Sequence, residues 1–338
     1  MKKITTAIIG FGVVGKRRMK FIKKNKFYDL ISISDIRFKK NFKKGKIFYF
    51  KNYKEILNDK NIKAVFITLP NYLAAKVTKE FLNKKINVFC EKPPGKNPEE
   101  LKSVINTEKK NRNIKLKYGF NHRYHDSIKL AKKYIDQNYF GKIINIRSVY
   151  GKSKIITFNK NDWRAKRKFA GGGILLDQGI HLLDLLTYFV GNFQFYKSFI
   201  SNNFWKYDVE DNAFALMKNK KGVIASIHST ATQWQHKFMM EIIFEKCLMV
   251  LSGILSGTKS YGKESLIIFP RKDLDMNKNK KIKKFFFNKD NSWKNEVDEF
   301  ADIILKNKTV KTGNSNQALQ VMNMVYKIYQ NDKSWKLK

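Results

Sequence analysis

The first 120 residues repeat a strand–helix alternation that few folds can accommodate. Short apolar runs predict strands at Ile4–Ile9, Leu30–Ser34, Ala64–Leu69, Ile86–Cys90 and Ile114–Gly119. Helical patterns of about 10–15 residues separate most of these runs. Strands that alternate with helices in this way form a parallel sheet with helices on both faces. We therefore predict a doubly wound α/β domain over residues 1–120.

The pattern changes after residue 120. A helical segment at Asp126–Asn138 is followed by longer β-type runs, and helical segments return at Glu296–Lys306 and Gln317–Gln330. The β-type runs are Ile143–Tyr150, Ala213–Met217, Val223–His228, Met239–Phe244 and Leu266–Phe269. Such runs favour a large, open and mostly antiparallel sheet. Residues 121–338 are thus predicted to form a second α/β domain.

A glycine-rich turn follows the first predicted strand. The run Gly10-Phe11-Gly12-Val13-Val14-Gly15 is a G-x-G-x-x-G that ends a strand and opens a helix. In that context the glycines permit a tight turn and a close approach of backbone to a pyrophosphate, and the helix N-terminus attracts the phosphates. A glycine turn without a ligand is the alternative.

The end of the second predicted strand carries Asp35, Ile36 and Arg37. Asp35 comes 20 residues after Gly15, where a carboxylate would hold the adenosine ribose hydroxyls of NAD. Arg37 leaves room for the 2′-phosphate of NADP. We expect these residues to bind the cofactor.

A lysine lies at the end of a later strand. Glu91-Lys92-Pro93-Pro94 directly follows Ile86–Cys90, and ligands of open α/β sheets bind beyond the carboxyl ends of the strands. Lys92 is therefore placed to point its ammonium at a substrate. One solvated lysine among many is the alternative in so lysine-rich a chain.

A second candidate site carries three ionisable residues at one-turn spacing. Asp177 and His181 are four residues apart and Asp184 three further on, so on a helix they share a face. The segment after His181 is apolar, and burying such groups is costly unless they are paired or functional. Histidine suits general acid–base chemistry because its ordinary pKa lies near neutrality. A metal site and a merely structural core histidine are the rival interpretations; we expect no metal.

The charge of the chain is unusual. It has 69 Lys+Arg against 28 Asp+Glu, a formal net charge of +41, which raises nucleic acid or an anionic membrane as partners. However, most of the basic residues are lysines spread along a chain rich in Asn, Ile, Phe and Tyr, as expected of an AT-rich genome. We therefore predict no nucleic-acid partner.

Targeting and redox signals point to the cytoplasm. Two cysteines are too few for a disulfide framework. No uninterrupted apolar run approaches the ~18–20 residues of a membrane span. The apolar N-terminus runs into Lys16-Arg17-Arg18 without a small-residue cleavage site. We predict a cytoplasmic protein without a membrane span.

The motifs together resemble the glucose–fructose oxidoreductase / inositol dehydrogenase / rhizopine catabolism family, Gfo/Idh/MocA. They are the glycine turn with Asp35, Leu69-Pro70-Asn71, Glu91-Lys92-Pro93, Gly119-Phe120-Asn121, Trp163-Arg164 and the Gly171–Gly173 run before Asp177 and His181. The resemblance implies an N-terminal Rossmann domain and a C-terminal α/β domain whose open sheet often forms the oligomer interface. It also implies a homodimer or homotetramer.

The resemblance implies roles for matching residues. Lys92 would bind both the substrate hydroxyl and the nicotinamide region, His181 would be the acid/base, and Asp177 would orient the substrate or help relay the proton. Further expected cofactor contacts are Leu69, Pro70, Asn71, Glu91, Asn121 and Arg164, and further expected substrate contacts are Asn121 and Arg123. Where the family often has histidine, three residues after Asn71, this chain has Ala74.

These implications define the expected function. It is an NAD(P)-dependent oxidoreductase acting on a secondary alcohol or ketone of a sugar, cyclitol or nucleotide sugar. Asn121-His122-Arg123-Tyr124 resembles members found with surface-glycan sugar pathways. Basic residues expected to flank the substrate are Arg147, Lys152, Lys154, Lys166, Arg167 and Lys168. The alternatives are a non-catalytic sugar or dinucleotide regulator on the same scaffold and, from charge alone, a nucleic-acid or membrane binder.

Overall fold

A computed structural model describes residues 3–154, 159–257, 260–271 and 281–335. Contacts divide the chain into two units. The first unit comprises Met1–Phe120, Phe169–Gly171 and Trp293–Gln320, and the second comprises Asn121–Lys168, Gly172–Ser292 and Val321–Lys338. The sequence analysis assigned everything after residue 120 to the second domain, so 169–171 and 293–320 differ from that expectation.

The first unit is built on a sheet with seven strands among the described residues, in the order β3-β4-β2-β1-β5-β6-β7. The strands are β1 Ile4–Ile9, β2 Tyr28–Ser34, β3 Phe42–Lys44, β4 Ile47–Phe50, β5 Ala64–Ile67, β6 Asn87–Glu91 and β7 Leu116–Gly119. Neighbouring strands are parallel except for the antiparallel pair β3–β4. The order from β4 to β7 is that of doubly wound dinucleotide-binding sheets, so the predicted fold class is confirmed.

Helices of the first unit connect these strands. They are α1 Val13–Lys24, α2 Tyr53–Leu57, α3 Asn71–Asn83 and α4 Pro98–Lys110. The chain leaves β1 toward β2 on one side and later returns to β5 on the other. Ligands bind at such a reversal of strand order, beyond the carboxyl ends of the strands. The glycine turn after β1 and the segment after β5 both lie there.

A helix from late in the sequence completes the core of the first unit. Helix α8 runs from Ser292 to Leu305, and its Val297, Phe300 and Ala301 are fully buried. The ring of Phe300 packs edge-on against Phe66 and Phe89, with centroids 5.7 and 5.5 Å apart. Burial of large aromatic side chains outweighs sequence distance, which explains why 293–320 belongs to this unit.

The second unit contains a sheet of eight described strands in the order β15-β14-β13-β12-β8-β11-β10-β9. They are β8 Ile143–Gly151, β9 Phe193–Ser201, β10 Asn212–Asn219, β11 Ile224–Thr230, β12 Lys237–Phe244, β13 Cys247–Ser252, β14 Glu264–Pro270 and β15 Lys283–Phe287. Of the described pairs, β8–β11 is parallel and the others are antiparallel. The predicted large, mostly antiparallel sheet is confirmed.

Helices α5 Asp126–Asp136 and α7 Ile180–Val190 lie within the second unit and contact its sheet. The residues of helix α6 Arg167–Ala170 and of helix α9 Ser315–Asn331 are each divided between the two units. A π-helical turn, Leu175–Gly179, leads directly into α7. The helical stretch 167–190 is long and apolar enough to pass a test for a membrane span, but 78% of its apolar window is buried. That burial fits a core helix.

Candidate functional site

The glycine turn after β1 needs glycine at its two ends for different reasons. Gly10 has φ +92°, and a Cβ there would lie 2.7 Å from the carbonyl oxygen of Thr68. A Cβ at Gly15 would lie 2.2 Å from the carbonyl oxygen of Gly10. The turn, β5 and α1 therefore pack backbone to backbone, as the sequence analysis expects.

Gly12 differs because a Cβ there would meet nothing within 4 Å. It is the N-cap of α1, no side chain caps the helix, and the first turn of α1 has no acidic residue. The first N–H groups of a helix lack intrahelical partners and attract anions. The space above Gly12 and the uncapped helix end thus fit a dinucleotide pyrophosphate.

Asp35 lies directly after β2 and is tied into the turn. It is 8% exposed, and its Oδ2 accepts a hydrogen bond from the backbone N–H of Phe11 at 2.6 Å. The Arg37 guanidinium donates to both carboxylate oxygens at 2.7 Å. Burial alone would raise the pKa of Asp35, but the hydrogen bonds from Arg37 and Phe11 outweigh it and hold that pKa below its usual value. The carboxylate is therefore ionised at neutral pH.

The other predicted cofactor contacts differ in how far their side chains are exposed. Ile36 is 81% exposed and Val13 78% exposed, so both present apolar surface beside the turn. Leu69 and Pro70 are half-buried. Asn71 is buried, and its side-chain amide donates to the carbonyl oxygen of Ala170 at 2.7 Å.

Lys92 follows β6 and lies on a firmly anchored segment. Glu91 accepts a hydrogen bond from Nε of the fully buried Arg18 at 2.6 Å, and Nη2 of Arg18 donates to Glu296 at 2.5 Å. The Lys92–Pro93 peptide bond is cis, and Pro93 is buried while Lys92 is half-buried. The anchored Glu91 before Lys92 and the buried Pro93 after it fix the position of the Lys92 backbone.

In the second unit, a buried carboxylate supports the turn that carries Asp177. Glu210 accepts hydrogen bonds from the backbone N–H groups of Gly173 and Leu175 at 2.7 and 2.9 Å and from the Tyr329 hydroxyl at 2.7 Å. A Cβ at Gly173 would lie 2.2 Å from the Glu210 carbonyl oxygen. Sequence reasoning missed Glu210, because it lies 37 residues beyond Gly173 with no motif around it.

Asp177 and His181 lie on consecutive turns, but the first of these is π-helical rather than α-helical. The Asp177 side chain is 28% exposed, and its Oδ2 lies 3.4 Å from Nζ of Lys152. His181 is 4% exposed at the start of α7. A π-helical turn inside a helix is frequent at functional sites.

Asp184 and Arg123 form a separate ion pair. Nε and Nη2 of Arg123 donate to the two carboxylate oxygens of Asp184 at 2.8 and 2.6 Å, and both side chains are almost fully buried. Arg123 is 4% exposed and two of its guanidinium nitrogens bind Asp184, so its expected contact with substrate stays a prediction. The pair fastens the 3-10 turn 121–124 to α7.

His122, which the sequence analysis did not single out, stacks on His181. The ring centroids are 3.6 Å apart and the planes differ by 14°. Asn121 is buried beside it: its Oδ1 lies 3.2 Å from Nδ1 of His122, and its amide donates to Ser292. Asn121 is thus engaged in a structural network. In the sequence, His122 stands out only as a member of the motif Asn121-His122-Arg123-Tyr124.

The basic residues expected beside the substrate separate by location. Lys152 approaches Asp177, whereas Arg147 on β8 lies on the other face of the sheet from Tyr150, because successive strand residues alternate faces. Arg147 pairs there with Glu241 at 3.2 Å and is 64% exposed, and its expected place beside the substrate stays a prediction. Arg167 stacks on Trp335 at 4.4 Å, and Arg164 stacks on Trp163 at 4.3 Å.

The remaining features of the site are the exposed Lys166 and Lys168 and the half-buried Lys154. Lys152 and Lys154 together lower the pKa of His236, after the larger effect of its partial burial. Within the described ranges, no group of three or more His, Cys, Asp or Glu side chains is arranged to hold a metal ion.

Two family models match the chain in sequence. One is the oxidoreductase family with an NAD-binding Rossmann fold, over residues 4–120, and the other is the GFO/IDH/MocA C-terminal domain, over residues 128–250. Together they cover most of the chain. The chain belongs to the GFO/IDH/MocA oxidoreductase family.

Several curated relatives of this family member are dehydrogenases of sugars or of inositol by name. Levoglucosan dehydrogenase of Pseudarthrobacter phenanthrenivorans is 32% identical over 143 residues, 42% of this chain and 36% of the relative. Glucose-6-phosphate 3-dehydrogenase of Bacillus subtilis is 28% identical over 256 residues, 73% of this chain and 68% of the relative. The chain therefore spans little more than a third of the first relative's length.

Solved structures share the fold. Levoglucosan dehydrogenase in complex with NADH has a TM-score of 0.81 at 18% identity, covering 99% of this chain and 98% of that one. KijD10, a 3-ketoreductase from Actinomadura kijaniata in complex with TDP-benzene and NADP, has a TM-score of 0.81 at 16% identity, with 98% of each chain covered.

Proposed function

We propose that this protein transfers a hydride between a nicotinamide cofactor and a secondary alcohol or ketone of a sugar, cyclitol or nucleotide sugar. The observation that carries the proposal is that this family member has open space above Gly12 at the uncapped N-terminus of α1. It also has a buried His181 four residues after the partly exposed Asp177. The names of the curated relatives support a sugar as the substrate class.

The first unit would hold the cofactor. Gly12 and the N-terminus of α1 fit the pyrophosphate, Asp35 the adenosine ribose, and Ile36 and Val13 offer apolar contact. Pro70 and Asn71 would border the nicotinamide, with Lys92 and Arg164 also assigned to that region. When bound, the nicotinamide ring accepts or supplies the hydride.

The acid–base work falls to His181. In the oxidative direction a neutral His181 would accept the hydroxyl proton of the substrate, and in the reductive direction its protonated form would return it. The Lys92 ammonium would stabilise negative charge that develops on the substrate oxygen. Asp177 would orient the substrate, and Lys152 would fix the position of the Asp177 carboxylate.

Two finer proposals concern the biological setting. The motif Asn121-His122-Arg123-Tyr124 favours a place in surface-glycan sugar biosynthesis, and a cytoplasmic location suits NAD chemistry on such sugars. We assign no nucleic-acid partner, since the positive charge is spread along the chain.

We further propose that the protein assembles into homo-oligomers through the outer face of its eight-stranded sheet. That face exposes large apolar side chains on adjacent strands: Phe195, Phe199, Phe214, Leu216 and Ile224 are 43–77% exposed. Exposed apolar surface of this extent on neighbouring strands is typical of protein interfaces. A second copy of the chain offers the same apolar surface and is the occupant that we propose.

An absorbance assay at the reduced-nicotinamide band tests the enzymatic function. The purified protein is offered NAD or NADP with a panel of sugars, inositols and nucleotide sugars. The proposal predicts turnover that falls by at least about 100-fold in Lys92→Ala and in His181→Ala. Lys96→Ala, a lysine of the same loop, is the matched control and should retain activity.

Two outcomes would contradict the proposal. Cofactor binding without turnover on any panel member would favour a non-catalytic regulator on this scaffold. Turnover that is equal in wild type, Lys92→Ala and His181→Ala would show that the chemistry occurs elsewhere.

A further inference from the structure

Three basic side chains lie close together at the end of β8, beside Asp177. Lys152, the residue after β8, is 9% exposed, and its Nζ lies 3.4 Å from Oδ2 of Asp177. Lys154 is half-buried two residues further on. The third basic side chain is His236, at the end of the loop before β12. The positive charges of Lys152 and Lys154 lower the pKa of His236, after the larger effect of its partial burial.

Two serine hydroxyls flank the His236 ring. Nδ1 lies 2.6 Å from Oγ of Ser260, and Nε2 lies 3.4 Å from Oγ of Ser153. A neutral imidazole has one donor and one acceptor nitrogen, whereas both nitrogens of a protonated ring donate. When His236 takes up a proton, both serine oxygens can therefore accept from the ring, and both hydroxyl hydrogens are left for another acceptor.

The same cluster borders the turn that carries Asp177. Besides the contact of Lys152 with Asp177, the side-chain amide of Gln178 donates to the Tyr261 hydroxyl. The Tyr261 ring stacks on His236, with centroids 5.0 Å apart and planes 29° from parallel. The loop before β12 is also tied to the end of β8, since the N–H of Gln233 donates to the carbonyl oxygen of Lys152 at 3.0 Å. The basic cluster and the π-helical turn are thus held together within the second unit.

The charges named here are unbalanced in favour of the positive sign. Asp177 offsets the charge of Lys152, Lys154 adds a second ammonium, and His236 can add a third positive charge by taking up a proton. Like charges placed together in a partly buried site repel each other, because the protein screens them less than water does. A bound dianion turns this repulsion into attraction. A phosphate monoester has that charge near neutral pH, together with three acceptor oxygens, whereas a carboxylate has a single charge.

We propose that Lys154, His236, Ser153 and Ser260 form a subsite for a phosphate group of the substrate. The lysine supplies charge, and the hydroxyls and the protonated imidazole supply directed donors. The proposal rests on the proposed function for the statement that this ligand is the substrate. The phosphate belongs either to a sugar phosphate monoester or to the diphosphate of a nucleotide sugar.

Histidine NMR with phosphate ligands tests the subsite without any need for turnover. The chain has five histidines, and the His236 ring resonances are assigned from a His236→Gln variant. The probes are inorganic phosphate, glucose 6-phosphate, UDP, glucuronate and glucose. We expect glucose 6-phosphate or UDP at saturation to raise the pKa of His236 by about one unit, and glucose to leave it unchanged. An unchanged pKa of His236 with all three phosphate compounds would overturn the proposal.

The order of affinities identifies the source of the phosphate. Tighter binding of glucose 6-phosphate than of UDP indicates a monoester, and the reverse order indicates a nucleotide diphosphate. Either order supports the subsite, provided that glucose binds more weakly than both. Glucuronate that binds as tightly as glucose 6-phosphate and shifts the pKa of His236 equally would overturn the assignment to phosphate.

A pair of lysine variants separates a built subsite from general attraction of anions to this positively charged chain. We expect Lys154→Met to weaken binding of the better phosphate ligand by about tenfold, and Ser260→Ala by about threefold. Lys246 is exposed and lies between β12 and β13, at the opposite end of β12 from His236. Lys246→Met is therefore the matched control and should bind like wild type. Equal weakening in Lys154→Met and Lys246→Met would overturn the proposal.

Steady-state kinetics then distinguishes this proposal from the proposed function. In Lys154→Met we expect KM for the phosphorylated substrate to rise by about tenfold while kcat stays within about twofold of wild type, since the lost contact is made equally before and during hydride transfer. Phosphate-dependent binding without turnover of any compound would leave the subsite standing and contradict the proposed function. Equal kcat/KM for a phosphorylated sugar and its unphosphorylated form would overturn the subsite and leave hydride transfer standing.

Discussion

At the scale of single residues, we propose that Asp35 determines the choice of cofactor. Its carboxylate is ionised and holds the exposed Arg37 guanidinium in a two-point contact. A carboxylate here can bind the 2′-hydroxyl of NAD and repels the 2′-phosphate of NADP. Arg37 is the group that would receive that phosphate if Asp35 were absent.

We therefore predict that Asp35→Ser weakens NAD binding by about 10- to 100-fold, the value of a hydrogen bond to a charged group. NADP binding should be weakened less or improve, because Arg37 is released. Calorimetric titration with each cofactor measures both affinities. Arg37→Ala is the companion variant, with NAD affinity expected within about threefold of wild type. Unchanged affinities in Asp35→Ser would contradict the prediction.

Several residues of the proposed site were recognisable in the sequence because each carries its own local signal. The glycines follow a strand, Lys92 precedes two prolines at a strand end, and His181 lies four residues from Asp177. By contrast, Glu210 and His122 act through partners 37 and 59 residues away, and such pairings exist only once the chain has folded. The contact of Arg123 with a substrate stays a prediction, whereas its ion pair with Asp184, 61 residues away, could not be predicted from the sequence.

At the scale of elements, one buried arginine ties three of them together in the first unit. Arg18 of α1 donates to Glu91 of β6 and to Glu296 of α8. Two carboxylates therefore share a single guanidinium. The Arg18 and Glu296 side chains are fully buried. Burial, opposed by Arg18, raises the pKa of Glu296 to about 7.

This shift predicts a pH dependence of stability. The folded state binds the Glu296 proton more tightly than the unfolded state, so its contribution is full below the ordinary glutamate pKa and is lost as pH rises through about 7. Relative to Glu296→Gln, the free energy of unfolding of wild type should fall by up to about 1.4 kcal/mol per pH unit over that range. Urea unfolding from pH 4 to 8 measures it.

A control on the same helix isolates the effect. Glu299→Gln changes a partly exposed carboxylate of α8, 3.6 Å from Lys117, and should keep the wild-type slope. Parallel curves for wild type and Glu296→Gln would show that folding does not shift the pKa of Glu296, and would contradict the prediction.

The Arg123–Asp184 pair predicts a second energetic result, in the other unit. Removing one member of a buried ion pair leaves a charge without compensation, so Arg123→Met should lower the free energy of unfolding by about 3–5 kcal/mol. The double variant Arg123→Met/Asp184→Leu should recover much of that loss. Urea unfolding of the single and double variants measures the coupling between them.

An exposed ion pair is the matched comparison. Lys294 and Asp298 pair on the surface of α8 with side chains 62% and 38% exposed, and Lys294→Ala should change the free energy of unfolding by no more than about 0.5 kcal/mol. A loss in Arg123→Met as small as this would contradict the prediction that the buried pair fastens the turn 121–124 to α7.

Elements with a clear apolar run were predictable, and those without one were not. Strand β15 carries Lys283 and Lys284 beside phenylalanines, and β9 exposes Phe195 and Phe199 on its outer face, so neither resembles an isolated half-buried strand. Their neighbours in the sheet stabilise them. The π-helical turn at Leu175–Gly179 could not be predicted from the sequence either, because the four-residue spacing of Asp177 and His181 also suits an α-helix.

At the scale of the whole molecule, the predictable part was the sequence of two α/β units. The return of residues 293–320 to the first unit was not predictable, because an amphipathic helix such as α8 fits either core by pattern alone. Its contacts with Phe66 and Phe89 and the ion pair of Glu296 with Arg18 place it in the first unit.

The outer sheet face leads to a prediction about assembly. Phe199 of the edge strand β9 is 77% exposed. A lysine at this position would place a charge in the proposed interface. Sedimentation velocity should show an oligomer for wild type and a smaller species for Phe199→Lys. Phe48→Lys, in β4 of the first unit and 44% exposed, is the control and should sediment like wild type. A monomeric wild-type protein would contradict the proposal.

The central claim is that the protein transfers a hydride between a nicotinamide and a carbinol carbon. The most direct test supplies NADH or NADPH deuterated on the transferring face of nicotinamide C4 together with a panel of keto-sugars, and follows the products by mass spectrometry. We expect an alcohol product carrying one deuterium on the carbinol carbon, and loss of that product in His181→Ala. An alcohol without deuterium, or no reduction of any panel member with either cofactor, would contradict it.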